Sequence, residues 1–258
     1  MKRGRVAILA LVVAAATPPA QDAFAQQVKR QYRVGVVHAA FAPNHPAVEG
    51  LKAGLKELGL EEGRDVTFDI RFTEGKIEVM PAVVADLIKA GVDLIFTPGE
   101  AATRAAGGVT QKIPIVFTNV GDPIAAGIVA EIARPGANVT GVSSLATDLT
   151  PKRIEVLKTL APALRRIWVI YYAGAPSSLA AIRKAQEAAP SLKLELVTRP
   201  VRTSEELARA LKALRPGDGL LAPGYPTLDI DGQVAELSTR VPSVFPAAFW
   251  VRHGVLVS

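Results

Sequence analysis

The chain has 258 residues, 49% of them hydrophobic and 21% charged, with a formal net charge of +6 and no cysteine. This is globular material longer than one usual domain, and it excludes disulfides, thiol catalysis, cysteine-held metals and a cysteine-linked lipid anchor. Basic residues such as Lys52, Lys89, Arg153 and Arg209 are spread along helical segments without runs or interleaved aromatics, which describes a solvated surface and argues against nucleic-acid binding.

In chain order, Met1-Lys2-Arg3-Gly4-Arg5, an apolar run over residues 6–16 and the small-x-small sequence Ala23-Phe24-Ala25 have the layout of a secretory signal peptide over 1–25. At about 1.5 Å per residue the apolar run reaches roughly 16 Å, half the hydrocarbon core of a bilayer, so it does not read as a membrane span. Short β-rich runs then alternate with longer amphipathic segments, the pattern of α/β structure on a parallel sheet. Strands are expected at Tyr32–His38, Val66–Phe72, 93–96 and 115–118, and helices at 47–58, 80–90, 100–106 and 124–132. Residues 138–144 (NVTGVSS) look like a crossing strand that leads into a helix over 151–160, with Asp148 or Thr150 suited to its cap and Pro151 to its first turn. The alternation resumes with strands at 167–171, 192–197, 219–221 and 243–245, and helices at 178–188, 204–214 and 230–240. Residues 254–258 begin another strand-like run. The simplest architecture is two βα lobes, 32–141 and 142–258, joined by a hinge near 138–145.

In open α/β sheets ligands bind beyond the carboxyl ends of the strands, so the loops that follow strands are the place to search. Those loops, among them 39–46, 97–100, 119–123, 172–178 and 222–227, mix hydrogen-bonding side chains with backbone amides at helix starts, which suits a small polar or anionic group. For any single serine or threonine, ordinary capping is the better explanation of its presence. His45 before Pro46 reads as a loop residue lining the cleft or setting its turn. Asp122 before Pro123 follows a buried strand, where it serves either as partner for a ligand ammonium or as cap of the next helix. Phe41, Tyr172 and Tyr225 are placed to stack on a flat ligand. No dinucleotide, phosphate-loop, nucleophile-elbow or zinc-protease motif is present, and nothing in the spacing of His38, His45 and Asp122 calls for a metal. No cofactor and no catalytic residue is expected.

Three blocks form a recognisable pattern: His45-Pro46-Ala47 with Gly50, Gly54 and Gly59 behind it, the run IPIVFTNVGDP at 113–123, and PGANVTG at 135–141. They resemble the ABC transporter substrate-binding protein family that includes tryptophan- and phenylalanine-binding-like members, over about residues 32–258. The resemblance implies a type I periplasmic-binding fold, α/β with two Rossmann-like lobes that close on a small molecule and deliver it to an inner-membrane permease driven by a separate ATPase. With the leader and no cysteine for a lipid anchor, a freely diffusing protein in the periplasm is expected, and a monomer. By position it assigns Thr97, Asn119, Asp122, Ser143 and Ser144 to the ligand from the first lobe and hinge, and Tyr172, Ser177 and Ser178 from the second. The chain departs from such members where Tyr172-Ala173-Gly174-Ala175 replaces an Asn-Pro-Gly-Glu turn and where Tyr225-Pro226-Thr227 replaces an Asp-Asn-Thr cluster, which leaves the aromatic amino-acid ligand open. It also stops where such members continue through a C-terminal return to the first lobe. A sensor module feeding a membrane receptor shares the same cleft. An enzyme on the same sheets, a racemase or hydrolase, is disfavoured by the missing motifs, and a transcription regulator by the leader in place of a DNA-binding helix pair.

Overall fold

The alternation of apolar residues in each strand sends side chains to both faces of a parallel sheet, the pattern of strands covered by helices on either side. In β1 (Tyr32–His38), Val34 and Val36 pack with Val48 of α1 (Pro46–Glu57), Val66 of β2 (Val66–Phe72) and Phe96 of β3 (Leu94–Pro98). Val37 joins the other face, with Met80, Val84 and Leu87 of α2 (Met80–Lys89) and Ala102 and Ala106 of α3 (Glu100–Val109). With β4 (Ile115–Val120) and β5 (Val139–Ser143) these strands make a five-stranded sheet in the order β2-β1-β3-β4-β5, every pairing parallel. The structure, a computed structural model, describes residues 30–40, 44–224 and 240–246. The leader at 1–25, Phe41, Tyr225, the run at 254–258 and all but Arg240 of the helix expected at 230–240 lie outside the described residues.

A second parallel sheet has the order β7-β6-β8-β9, built from β6 (Arg166–Tyr172), β7 (Glu195–Val201), β8 (Asp218–Leu221) and β9 (Ser243–Val244). Ile167 and Val169 of β6 face α4 (Thr150–Leu160) and α5 (Pro176–Ala188) through Ile154, Leu157, Ile182 and Ala185. Trp168 and Ile170 face Leu207 and Leu211 of α6 (Ser204–Lys212). At the start of the ladder Arg166 lies opposite Asp218, and their side chains pair at 2.7 Å. Burial works to raise the Asp218 carboxyl, but the bonds from Arg166 and the Arg215 amide outweigh it and hold the group below its ordinary value.

Four elements differ from expectation. The helix expected at 124–132 is a single turn: Asp122 caps it, the amides of Ile128 and Val129 both reach the Pro123 carbonyl, and Gly127 at φ 67° ends it. The strand expected at 192–197 begins at Glu195, because Pro190–Leu192 forms a 3-10 turn closed by Lys193 at φ 54°. α3 continues past Ala106 through Gly107 and Gly108 to Val109, with the Gln111 amide folding back onto the Gly107 carbonyl at 2.7 Å. Neither Asp148 nor Thr150 caps α4. Leu149 holds that position, Asp148 pairs with Lys184 at 2.7 Å, and the Thr150 hydroxyl donates to the Ala146 carbonyl at 2.8 Å.

Candidate functional site

Strand order reverses between β1 and β3 in the first sheet and between β6 and β8 in the second. The loops beyond those four strands are therefore the natural ligand positions. Beyond β3, Gly99 precedes α3, whose first residue is Glu100. Beyond β6, Pro176, Ser177 and Ser178 open α5. The two ends meet. The Ser177 hydroxyl donates to Glu100 Oε2, and Arg104 Nη1, one turn further along α3, donates to the Gly174 carbonyl at 3.3 Å. Gly121, after β4, lies against both sides: a methyl there would stand 3.4 Å from Thr147 Oγ1 and 3.5 Å from Ser177 Oγ. The buried Thr147 hydroxyl in turn donates to the Ser177 carbonyl at 3.1 Å.

Glu100 is the electrostatic centre of this meeting point. Burial pushes its carboxyl above the ordinary glutamate range, with the repulsion of Asp122 adding to it, against the bonds from Ser177 and the charge of Arg104. An acid in the first turn of a helix is supported by the exposed amides there, and this offsets part of the desolvation.

The residues assigned from sequence hold varied positions. Ser177 and Ser178, both buried, stand in the first turn of α5, and a methyl on Gly224 would lie 3.3 Å from Ser178 Oγ. Asp122 approaches the same centre, but its Oδ1 accepts from the amides of Ile124 and Ala125 at 3.1 and 2.9 Å, so capping, one of its two expected roles, is built in. Thr97 is fully buried at the end of β3 and bonded to Thr103 Oγ1 at 3.0 Å. Asn119 occupies φ 61° where the β4–β5 register shifts, a conformation that asparagine adopts more readily than most residues. Ser143 and Ser144 clamp the crossing segment, both hydroxyls and the Ser144 amide converging on the Val120 carbonyl at 3.0, 3.3 and 2.9 Å. Tyr172 ends β6 with its ring over Gly174, where an added methyl would meet the ring at 2.7 Å. His45 caps α1 by accepting the Ala47 amide at Nδ1, 3.1 Å, and its ring lies 5.1 Å from that of the buried His38. Burial lowers the His45 pKa, which keeps the acceptor unprotonated. Tyr225 lies outside the described residues.

Glu100, Arg104 and Thr147 were not singled out from sequence. An acid at a helix start reads as ordinary dipole matching, and nothing local distinguishes Thr147 from its neighbours.

The profile of the ABC transporter substrate binding protein family matches residues 33–222. The chain belongs to this family. Its fold is the type I periplasmic-binding fold of two α/β lobes with parallel sheets. A tyrosine-binding protein of Clostridioides difficile (strain R20291) is 28% identical over 191 residues, 72% of this chain and 54% of that protein, so the chain spans about half the length of the curated relative it matches. A conserved domain protein from Vibrio cholerae superposes with a TM-score of 0.76 at 24% identity, over 88% of this chain and 77% of that one. A Streptococcus pneumonia ABC domain in complex with L-Trp gives 0.73 at 23%, over 89% and 79%. The family is one of binding proteins.

Proposed function

We propose that this member is the solute-binding component of an ABC importer, a non-catalytic protein that takes a small molecule, an aromatic amino acid or a related compound, between its two lobes. Residues 1–25 act as a cleavable export signal, and the mature chain works as a monomer in the periplasm. It hands its ligand to an inner-membrane permease driven by a separate ATPase. The observation that carries the reading is the convergence of Glu100, Gly121 and Asp122 with Thr147, Ser177 and Ser178 at the carboxyl ends of β3, β4 and β6. Helix starts and a few buried polar groups facing each other across two lobes suit capture of a small polar molecule. A ligand that touches both lobes binds the closed arrangement better than the open one and so shifts the population toward it. The names of the relatives, one tyrosine-binding and one solved with L-Trp, support the choice of ligand class.

Thermal unfolding of the purified chain against amino acids, aromatic acids, nucleosides, sugars and small peptides tests the proposal. A ligand at 100 times its dissociation constant adds about 2.7 kcal/mol and raises the midpoint. A saturable shift with one chemical class, without turnover of that compound, is the expected outcome. A well-folded sample that shifts with nothing, or one that converts the compound, contradicts it.

A further inference from the structure

Glu100 follows β3 and Asp122 follows β4 at the carboxyl end of the first sheet, and their hydrogen bonds distinguish them. Asp122 Oδ1 is committed to the turn after β4, accepting from the amides of Ile124 and Ala125. Glu100 is only 9% exposed. One of its oxygens accepts the Ser177 hydroxyl, while the other, Oε1, is buried with no hydrogen-bond partner and no ion pair among the described residues. Arg104 is turned to the Gly174 carbonyl. A buried carboxylate oxygen without a donor is costly, and a charged donor removes more of that cost than a neutral one. This oxygen lies directly after β3, where the strand order reverses, and beside the first turn of α5 in the other lobe.

We infer that Glu100 selects ligands bearing an ammonium or a similar N–H cation, which Oε1 accepts while Ser177 holds Oε2. The inference rests on the proposed capture of a small molecule between the lobes and names the chemistry that this site demands. Asp122 adds negative potential at the same place.

Calorimetric titration of the purified chain with matched pairs that differ in the amine tests it: L-tyrosine and phloretate, L-phenylalanine and hydrocinnamate, L-leucine and isocaproate, with uridine and ribose as neutral controls. The parent is expected to bind the amine-bearing member of a pair at least about tenfold more tightly than its deaminated twin. Glu100→Gln keeps an acceptor for Ser177 and removes the charge, so it should lose roughly ten- to hundredfold in affinity for the amine and leave the twin unchanged. A parent that prefers the deaminated or neutral compounds overturns the inference and leaves the capture reading intact, whether or not the variant folds. Parent-like affinity of Glu100→Gln for the amine does the same. No heat from any compound overturns both.

Discussion

A single methyl group at Gly141 is expected to unseat the edge of the first sheet. Gly141 stands in β5, paired with β4, and a Cβ built there would lie 2.6 Å from Phe117 Cγ and 2.8 Å from the Phe117 carbonyl carbon, closer still to its oxygen. Those are atoms of a buried strand and cannot swing aside as a surface side chain would, so β5 has to move. Overpacking of this kind costs about 1–3 kcal/mol, and each ladder hydrogen bond lost adds about 1 kcal/mol. The sum is about 2–5 kcal/mol, or about 4–20 °C in Tm at 2–4 °C per kcal/mol for a chain of this size. Calorimetric melting of Gly141→Ala beside Gly50→Ala is the assay, because Gly50 sits in α1 with nothing within 4 Å of its Cβ position. The control should be neutral or up to about 1 kcal/mol stabilising, since alanine is the better helix former. A Gly141→Ala midpoint within about 1 °C of the parent, or equal damage from both substitutions, refutes the packing argument.

Four further outcomes follow from the same geometry. His45→Ala removes the side-chain cap of α1 and should cost about 1 kcal/mol in chemical denaturation, with His45→Asn recovering most of it. Asn119→Gly should leave stability within about 0.5 kcal/mol, whereas Asn119→Val, forced into left-handed backbone, should lose about 1–2 kcal/mol; equal effects would show that the backbone conformation does not matter there. Burial raises the Glu100 pKa, so its native form holds a proton more tightly than the unfolded chain does. Its contribution is full in acid and lost as pH rises through the native value, and Glu100→Gln should gain stability relative to the parent as pH rises above the ordinary glutamate range. His45 carries the opposite sign: its lowered pKa contributes stability that is present above about pH 6.5 and lost as pH falls, so the advantage of the parent over His45→Asn should shrink in acid.

Much of the framework was legible because it rests on local periodicity. Buried runs such as Val34 to Val37 and Ile167 to Ile170 announce strands covered on both faces, and the breaks between them place the loops that end up at the carboxyl edges. Where two local signals compete, reading from sequence fails. At 124–132 the apolar spacing suits a helix, but Pro123 and Gly127 set one closed turn in its place. At 190–194 the proline-led 3-10 turn takes up residues whose side chains suit a strand.

The site was legible only in outline. Ser177, Ser178 and Asp122 were found from their loops, while Glu100 escaped because its burial and its bond to Ser177 depend on docking a segment 77 residues further along the chain. Ser143 and Ser144 illustrate the reverse. Their chemistry suits a ligand, yet both hydroxyls and the Ser144 amide converge on one carbonyl, and this fastens the crossing segment. Gly141 of the N-V-T-G run acquires its reason in the same way, from the Phe117 carbonyl that lies against it.

Capture between two closing lobes is tested by a pair of spin labels, one on each lobe. The chain has no cysteine, so Glu49→Cys on α1 and Arg183→Cys on α5, both exposed, give two unique attachment sites. Double electron–electron resonance is then recorded with and without the panel compound that gives the largest melting shift. The distance distribution is expected to shorten and narrow when the ligand saturates. An unchanged distribution with the ligand demonstrably bound would contradict it.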